Sequence, residues 1–215
     1  MISTKQFCPL CSSQASLFVE DRGTNFYKCP TCGSIFRDPA NDLPFEQEKA
    51  RYLTHNNCPV DPGYCAFVAP IIGEVKKLFL PSHQGLDFGA GPVPVIAKLL
   101  QNQGYQLEAY DPFFHARPEL LQEKYDFITA CEVIEHFRDP AGEFERLRSM
   151  LKPAGVLLCM TLLYEDKIDF AGWHYKNDRT HRFFYTRRTL EWVRERFGFA
   201  SLKIEGRLVS FQIQN

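Results

Sequence analysis

The residues with the most chemical potential in this 215-residue chain are its eight cysteines, and their spacing divides them into two groups. Cys8 and Cys11 form one C-x-x-C pair, "CPLC", and Cys29 and Cys32 form another, "CPTC", with seventeen residues between the pairs. Each pair can place two thiolates on one cation, and two pairs complete the tetrahedron that zinc prefers, so the spacing predicts a four-cysteine zinc site. Four thiolates leave no open position for a catalytic water, which makes the expected role structural. A segment of roughly forty residues buries too little apolar surface to fold unaided, and a metal cross-link accounts for that size. Two disulfides are the alternative, disfavoured in a reducing compartment. Cys58, Cys65, Cys131 and Cys159 lack metal spacing, and the last two sit in apolar runs as small buried hydrophobes.

A second constellation is "GLDFGAGPVPV", residues 85–95, which reads as a strand entering a glycine turn. Gly89 and Gly91 allow a sharp turn and let a ligand approach without meeting a Cβ. A dinucleotide fingerprint needs a third small residue, and here the run is Gly89, Ala90, Gly91, Pro92, Val93, Pro94. The two prolines are expected in the first turn of a helix from Pro92 to Gln103, where they remove amides that would hold a diphosphate. The turn therefore suits a nucleoside bearing a charged sulfur better than one bearing a diphosphate.

These groups must be positioned by elements that the hydrophobic pattern reveals. After the cysteine segment, residues 37–63 read as a linker with one short helix from Phe45 to Tyr52. "YCAFVAPIIGEVKKLFL" has helical spacing and stops at Pro81. Strands are expected at Gly85–Phe88, Gln106–Tyr110 and Tyr125–Cys131. A helix follows in "DPAGEFERLRSML", then a turn at "KPAG", a strand in "VLLCMTLL", and a helix capped by Thr186 and ended by Gly198. The tail reads as two strands meeting at Gly206. Alternation of strand and helix implies an α/β fold, a doubly wound, mostly parallel sheet with a terminal antiparallel strand. The expected division is a zinc ribbon over 1–42 and one larger domain over 43–215.

Composition limits the classes of function. A formal net charge of −1 supplies no whole-molecule field toward nucleic acid or an anionic membrane. The first forty residues carry four basic and three acidic side chains, a poor electrostatic footprint for RNA. No leader pattern and no apolar run of membrane-spanning length are present, so a soluble, cytoplasmic protein is expected. The most basic stretch, residues 179–196, holds six arginines against two glutamates. It reads first as a solvated helix face, with Arg187 and Glu191 as i,i+4 partners, and second as a seat for an acidic acceptor or RNA backbone.

In this order the motifs resemble the class I S-adenosylmethionine-dependent methyltransferases. "LDFGAGP" is similar to their first motif, "AYDP" to the acidic end of the second strand, "YDFITACEVIEHF" to the fourth-strand motif and "MLKPAGVLLCMT" to the fifth-strand region. The resemblance covers about residues 63–215. It implies that Asp87, Gly89, Ala90 and Gly91 line the methionine end of the cofactor, that Asp111 accepts from the ribose hydroxyls beside Pro112, and that Cys131 and Glu132 contact the cofactor. Tyr64 is a candidate for its carboxylate. The resemblance places "GWHYKNDRTHRFFY" at the acceptor pocket, with Trp173, His174, Tyr175, His181 and Tyr185 as a lid over a small, partly aromatic substrate; a buried aromatic cluster is the competing reading. Catalytic candidates are His136, in the pair Glu135-His136, and His174, His181 and Tyr185.

One departure from the resembled pattern is plain: only fourteen residues separate Asp111 from Asp126, too few for a helix, a strand and a second helix. The third strand is expected to be reduced or absent, and the adenine pocket more open at that edge. The functional expectation is methyl transfer to an O, N or C nucleophile of a small-molecule acceptor by a monomer or homodimer. An rRNA or tRNA base methyltransferase using the ribbon for RNA, and a catalytically silent docking module, are the alternatives.

Overall fold

A computed structural model describes residues 5–54 and 58–214. Five short strands lie in a first sheet and six in a second. The small sheet is formed by β1 (Lys5–Phe7), β2 (Gln14–Asp21), β3 (Thr24–Lys28), β4 (Ile35–Arg37) and β9 (Phe183–Phe184), paired antiparallel in that order. Its fifth strand comes from the far end of the chain, which joins the cysteine segment to the segment expected at the acceptor pocket.

The large sheet contains β5 (Gln84–Phe88), β6 (Gln106–Tyr110), β7 (Tyr125–Cys131), β8 (Leu151–Met160), β10 (Ser201–Glu205) and β11 (Leu208–Gln212), in the order β10-β11-β8-β7-β5-β6. β6, β5, β7 and β8 run parallel, and β11 is antiparallel to β8, as the terminal hairpin predicts. Side chains alternate between two cores along each strand. On β7 and β8, Phe127, Val156 and Leu158 face one cluster, while Ile128, Ala130, Leu157 and Cys159 face the other. Helices α2 (Pro62–Leu78) and α3 (Val95–Gln101) cover the first face; α4 (Pro140–Ser149) and α5 (Arg187–Arg196) cover the second. Cys8, Leu10, Tyr27 and Phe36 of the small sheet belong to the same cluster as Phe183, Tyr185 and Leu190, so the two sheets share one core.

The sheet ends at β6. Among the described residues, 112–124 hold only a one-bridge contact between Asp111 and His115 and a 3-10 turn at Pro118–Gln122, so the third strand is absent as expected. Helix α1 (Phe45–Leu53), from the linker, lies near this edge, and Phe45 stacks on Phe113 with ring centroids 4.6 Å apart.

Two local expectations need correction. The helix after the glycine turn starts at Val95 rather than Pro92. Proline disfavours helical backbone in the residue before it, so Val93 cannot be helical ahead of Pro94 and the first turn is delayed. "KPAG" is not a turn ahead of the strand but an interruption within it: Tyr125 pairs with Leu151 and Phe127 with Val156, leaving residues 152–155 opposite Asp126 alone. Ala154 takes up the distortion with φ +61°.

Candidate active site

A cavity of about 610 Å³ opens at the carboxyl ends of the parallel strands, the position where doubly wound sheets take ligands. One wall is the glycine turn. Gly89 and Ala90 donate their amides to the Tyr110 carbonyl (2.8 and 3.1 Å), and Gly91 donates to Asp111 Oδ2 (2.9 Å). Every amide of residues 89–91 is thus committed to the end of β6, and Pro92 and Pro94 have none. Gly89 has φ +72°, and a Cβ there would stand 2.6 Å from Val133; at Gly91, φ +68°, a Cβ would meet nothing within 4 Å.

Asp111 is buried beside the turn, and its Oδ1 accepts from the amides of Phe113 and Phe114 (2.8 and 3.1 Å). Three backbone donors therefore fix its carboxylate at the cavity wall. Asp87 accepts from Thr129 Oγ1 (2.9 Å) and from the Ala97 amide (3.3 Å), which ties β5 and β7 to the start of α3. Burial pushes its carboxyl up to about 6 despite those bonds.

The opposite wall follows β7. Glu132 has φ +52°, an uncommon conformation for a side chain of this type, and it turns the chain into a 3-10 segment, Ile134–His136. The Glu132 carboxylate accepts from Arg207 (3.1 Å) and from the Tyr175 hydroxyl (3.0 Å). The same hydroxyl lies in short contact with Glu135 and 3.1 Å from Thr161 Oγ1. One phenolic proton cannot serve both glutamates. Burial, with Glu132 adding to it, raises the Glu135 carboxyl to about 8.

His136 and His181 face each other with ring centroids 4.8 Å apart. Nδ1 of His136 lies 3.0 Å from the Thr180 carbonyl, and Nδ1 of His181 lies 2.7 Å from the Tyr175 carbonyl. Burial holds His136 down at about 3, so its ring is neutral at physiological pH. Beside them, Glu48 of α1 receives both Nη atoms of Arg182 (2.9 Å each) and Arg138 (2.8 Å), and the Tyr52 hydroxyl donates to it (2.8 Å).

The small sheet holds this end in place. Arg37 of β4 donates to the carbonyls of Lys176 (2.8 Å), Asp178 (3.1 Å) and His181 (3.1 Å), and Lys176 pairs with Asp21 of β2. The four cysteines lie at the far end of that sheet, their sulfurs all within 4.8 Å of one another. Two equivalent turns present them. Ser12 donates to the Cys8 carbonyl and Gly33 to the Cys29 carbonyl, and both donors are left-handed, with φ +58° and +78°. The closest sulfur pairs, Cys8 with Cys32 (3.6 Å) and Cys11 with Cys29 (3.4 Å), are far beyond bonding distance.

Tyr64, Asp87, Gly89, Ala90, Gly91, Asp111, Pro112, Cys131, Glu132, His136 and His181 all line the one cavity. His174 and Tyr185 do not. His174 is exposed on a 3-10 turn, and Tyr185 is fully buried in the shared core, its hydroxyl donating to the Ile134 carbonyl (3.0 Å). The cause is β9: once Phe183 and Phe184 pair with β4, Tyr185 is directed against Phe144 and Phe183. Trp173, Tyr175 and Phe184 likewise pack with Phe26, Tyr164 and Phe170, so the expected lid is mainly an aromatic core. The arginine-rich stretch is divided too. Arg182 is a buried ion-pair partner, and Arg188 caps the Pro30 and Thr31 carbonyls (2.6 and 2.8 Å). Sequence reasoning missed Glu48, Tyr52, Arg138 and Arg182, because a Glu and a Tyr in a polar linker helix carry no pattern that separates them from surface residues.

The family model described as "Methyltransferase domain" matches residues 40–204. The chain belongs to this methyltransferase-domain family. Among curated relatives, the ubiquinone biosynthesis O-methyltransferase of Histophilus somni is 34% identical over 82 residues, covering 36% of this chain and 34% of the relative. The enzyme of the same name from Pseudomonas putida F1 is 28% identical over 92 residues, covering 43% and 40%. The match thus spans little more than a third of the length of these relatives. Among solved structures, a phosphoethanolamine N-methyltransferase 2 of Haemonchus contortus in complex with S-adenosyl-L-methionine superposes with a TM-score of 0.56 at 15% identity, covering 87% of this chain and 56% of that one. An O-methyltransferase family protein of Burkholderia thailandensis gives 0.55 at 12% identity, covering 78% and 63%. At such identities the structural likeness concerns the fold of the methyltransferase domain.

Proposed function

We propose that this methyltransferase domain transfers a methyl group from S-adenosylmethionine to an oxygen nucleophile of a small-molecule acceptor. The observation that carries the reading is the glycine turn. Its amides at 89–91 are turned toward β6, and prolines occupy 92 and 94, so the wall beside Asp111 offers a nucleoside room without donors for a diphosphate. Bound there, the cofactor supplies a sulfonium methyl already activated toward displacement. Asp111 would accept from the ribose hydroxyls with the oxygen lone pairs its amide contacts leave, while Gly89, Ala90, Gly91, Cys131 and Glu132 would line the methionine portion. Tyr64 would face the cofactor's carboxylate, and Pro112 would lie beside the ribose with Asp111. The domain's main task is to hold the acceptor oxygen in line with the methyl carbon and to keep water out. His136 and His181, which line the same cavity and form its acceptor end in this reading, would orient that oxygen.

The relatives named as O-methyltransferases support oxygen over nitrogen or carbon as the nucleophile. We also propose a structural zinc ion held by Cys8, Cys11, Cys29 and Cys32, with 1–42 as its ribbon and 43–215 as the methyltransferase domain. The donor set fits: tetrahedral coordination with zinc–sulfur bonds near 2.3 Å puts sulfurs about 3.8 Å apart, close to the two spacings observed. Calorimetric titration of the chain with S-adenosylmethionine, S-adenosylhomocysteine and NAD tests the cofactor reading. Binding of the first two and not the third is expected; NAD binding, or no binding of any, would overturn it.

A further inference from the structure

The acceptor end of the cavity contains a set of donors that a simple oxygen pocket does not need. Glu135, His136 and His181 each bring one ligand atom to within 4.8 Å of the others. Two come from the 3-10 segment after β7 and the third from the segment gripped by Arg37. Each imidazole directs Nδ1 at a backbone carbonyl, Thr180 for His136 and Tyr175 for His181. That arrangement recurs behind metal-ligating histidines, because donation from Nδ1 sets the tautomer and leaves a lone pair on Nε2. The third donor has a separate peculiarity. Glu135 is fully buried, and its Oε2 has no hydrogen-bond partner, an arrangement costly enough to require an explanation.

We propose that Glu135, His136 and His181 form a divalent-cation site at the acceptor end of the cleft, distinct from the four-cysteine cluster. Two imidazoles and one carboxylate suit a borderline transition metal such as Mn2+, Fe2+ or Zn2+, whereas thiolates select softer ions. Three protein ligands leave positions open toward the cavity that His136 and His181 line. An acceptor with two adjacent hydroxyl oxygens, as in a catechol, can occupy two such positions at once, and this chelation defines the acceptor class. In the transfer step, the hydroxyl loses its proton to solvent as the cation polarises it. Its oxygen pair then forms the bond to the methyl carbon as the carbon–sulfur bond breaks with its pair remaining on sulfur. The acceptor class rests on the methyl-transfer reading; the cation site does not.

The test uses the full chain, with zinc content measured first, titrated with Mn2+ and followed by electron paramagnetic resonance. One Mn2+ per chain is expected, with affinity reduced more than tenfold in Glu135→Gln and in His181→Gln, and unchanged in His83→Ala, a half-buried histidine outside the cavity. Melting curves establish that each variant is folded, and Glu135→Gln, which keeps size and hydrogen-bonding capacity, guards against loss through misfolding. Catechol, and not phenol, is expected to alter the bound Mn2+ spectrum. No stoichiometric Mn2+ binding to the folded chain, or undiminished binding in both variants, would overturn the site; an equal response to catechol and phenol would overturn the acceptor class. Titration with S-adenosylmethionine, run separately, reports on the methyl-transfer reading alone.

Discussion

The cysteine turns and the cavity solve the same problem, holding several polar groups at one point, in opposite ways. Each turn is local: a C-x-x-C pair, a left-handed residue immediately after it and two short backbone bonds repeat almost identically at Cys8 and at Cys29. The cavity draws on α1, the glycine turn, the loop after β7 and residues 181–182, which are separated by up to 137 positions, Phe45 to Arg182. The first arrangement needs only neighbours along the chain. The second exists only when two sheets have docked, and Arg37 shows how the two are connected, since a residue of the cysteine sheet positions the carbonyl of His181.

The largest effect should come from the local site. Treating the chain with a strong chelator to remove the proposed zinc ion, or substituting Cys29→Ser, is expected to lower the melting temperature by roughly 10 °C or more, because a structural zinc would contribute folding free energy directly. If calorimetry showed an unchanged transition after chelation, the cysteine sheet would be stable without a metal and the contrast would fail.

The next contrast lies inside the cavity. Gly89→Ala combines a left-handed backbone with a Cβ 2.6 Å from Val133, and should abolish measurable S-adenosylmethionine binding. Gly91→Ala carries the conformational strain alone, about 1–2 kcal/mol, so the protein should still fold and bind more weakly. Calorimetry on the two variants would show whether the collision or the strain dominates.

Arg37→Ala tests the link between the regions. It removes three charge-assisted bonds to the backbone of residues 176–181, and should cost about 3 kcal/mol of stability. Turnover should fall roughly tenfold, a rise of about 1.4 kcal/mol in the barrier, while cofactor affinity stays constant because these three bonds all reach residues 176–181 and none reaches the glycine turn. An equal loss of cofactor affinity would mean that the cavity is a single cooperative unit rather than two ends separately supported.

The smallest effect is confined to acid. Burial favours the neutral form of Glu48, but the hydrogen bonds from Arg182 and Arg138 outweigh it and hold the carboxyl at about 2, against an ordinary value of 4.5. A group depressed in the folded state stabilises fully above its unfolded value, so this contribution is present above about pH 4.5 and declines as the pH falls toward 2. Denaturant titrations between pH 5 and pH 2 should therefore show a shallower acid loss in Glu48→Gln.

Much of the glycine-turn wall of the cavity was legible before any coordinates, because its signals are short-range. A strand, two glycines, two prolines and an acidic residue twenty positions on from Gly91 specify a turn and what can face it. The missing third strand was equally legible, since fourteen residues cannot hold the elements that would surround it. The histidine wall of the cavity was half legible. His136 and His181 were singled out by type, but so were His174 and Tyr185, and nothing in "GWHYKNDRTHRFFY" states which residues face the cavity. That choice is made by two residues, Phe183 and Phe184, pairing with a strand about 147 positions earlier.

By itself the sequence determined the four-cysteine cluster, the order of strands and helices, and a glycine turn followed by two prolines that have no amide to donate, because each follows from spacing within a few residues or from hydrophobic period. Only the tertiary structure decided that the cysteine sheet shares a core with the larger domain, that Glu48 and Arg182 close one side of the cavity, and that Glu135, His136 and His181 converge. Those outcomes depend on which distant surfaces exclude water against each other, and a single side chain's type does not encode its partner across the fold.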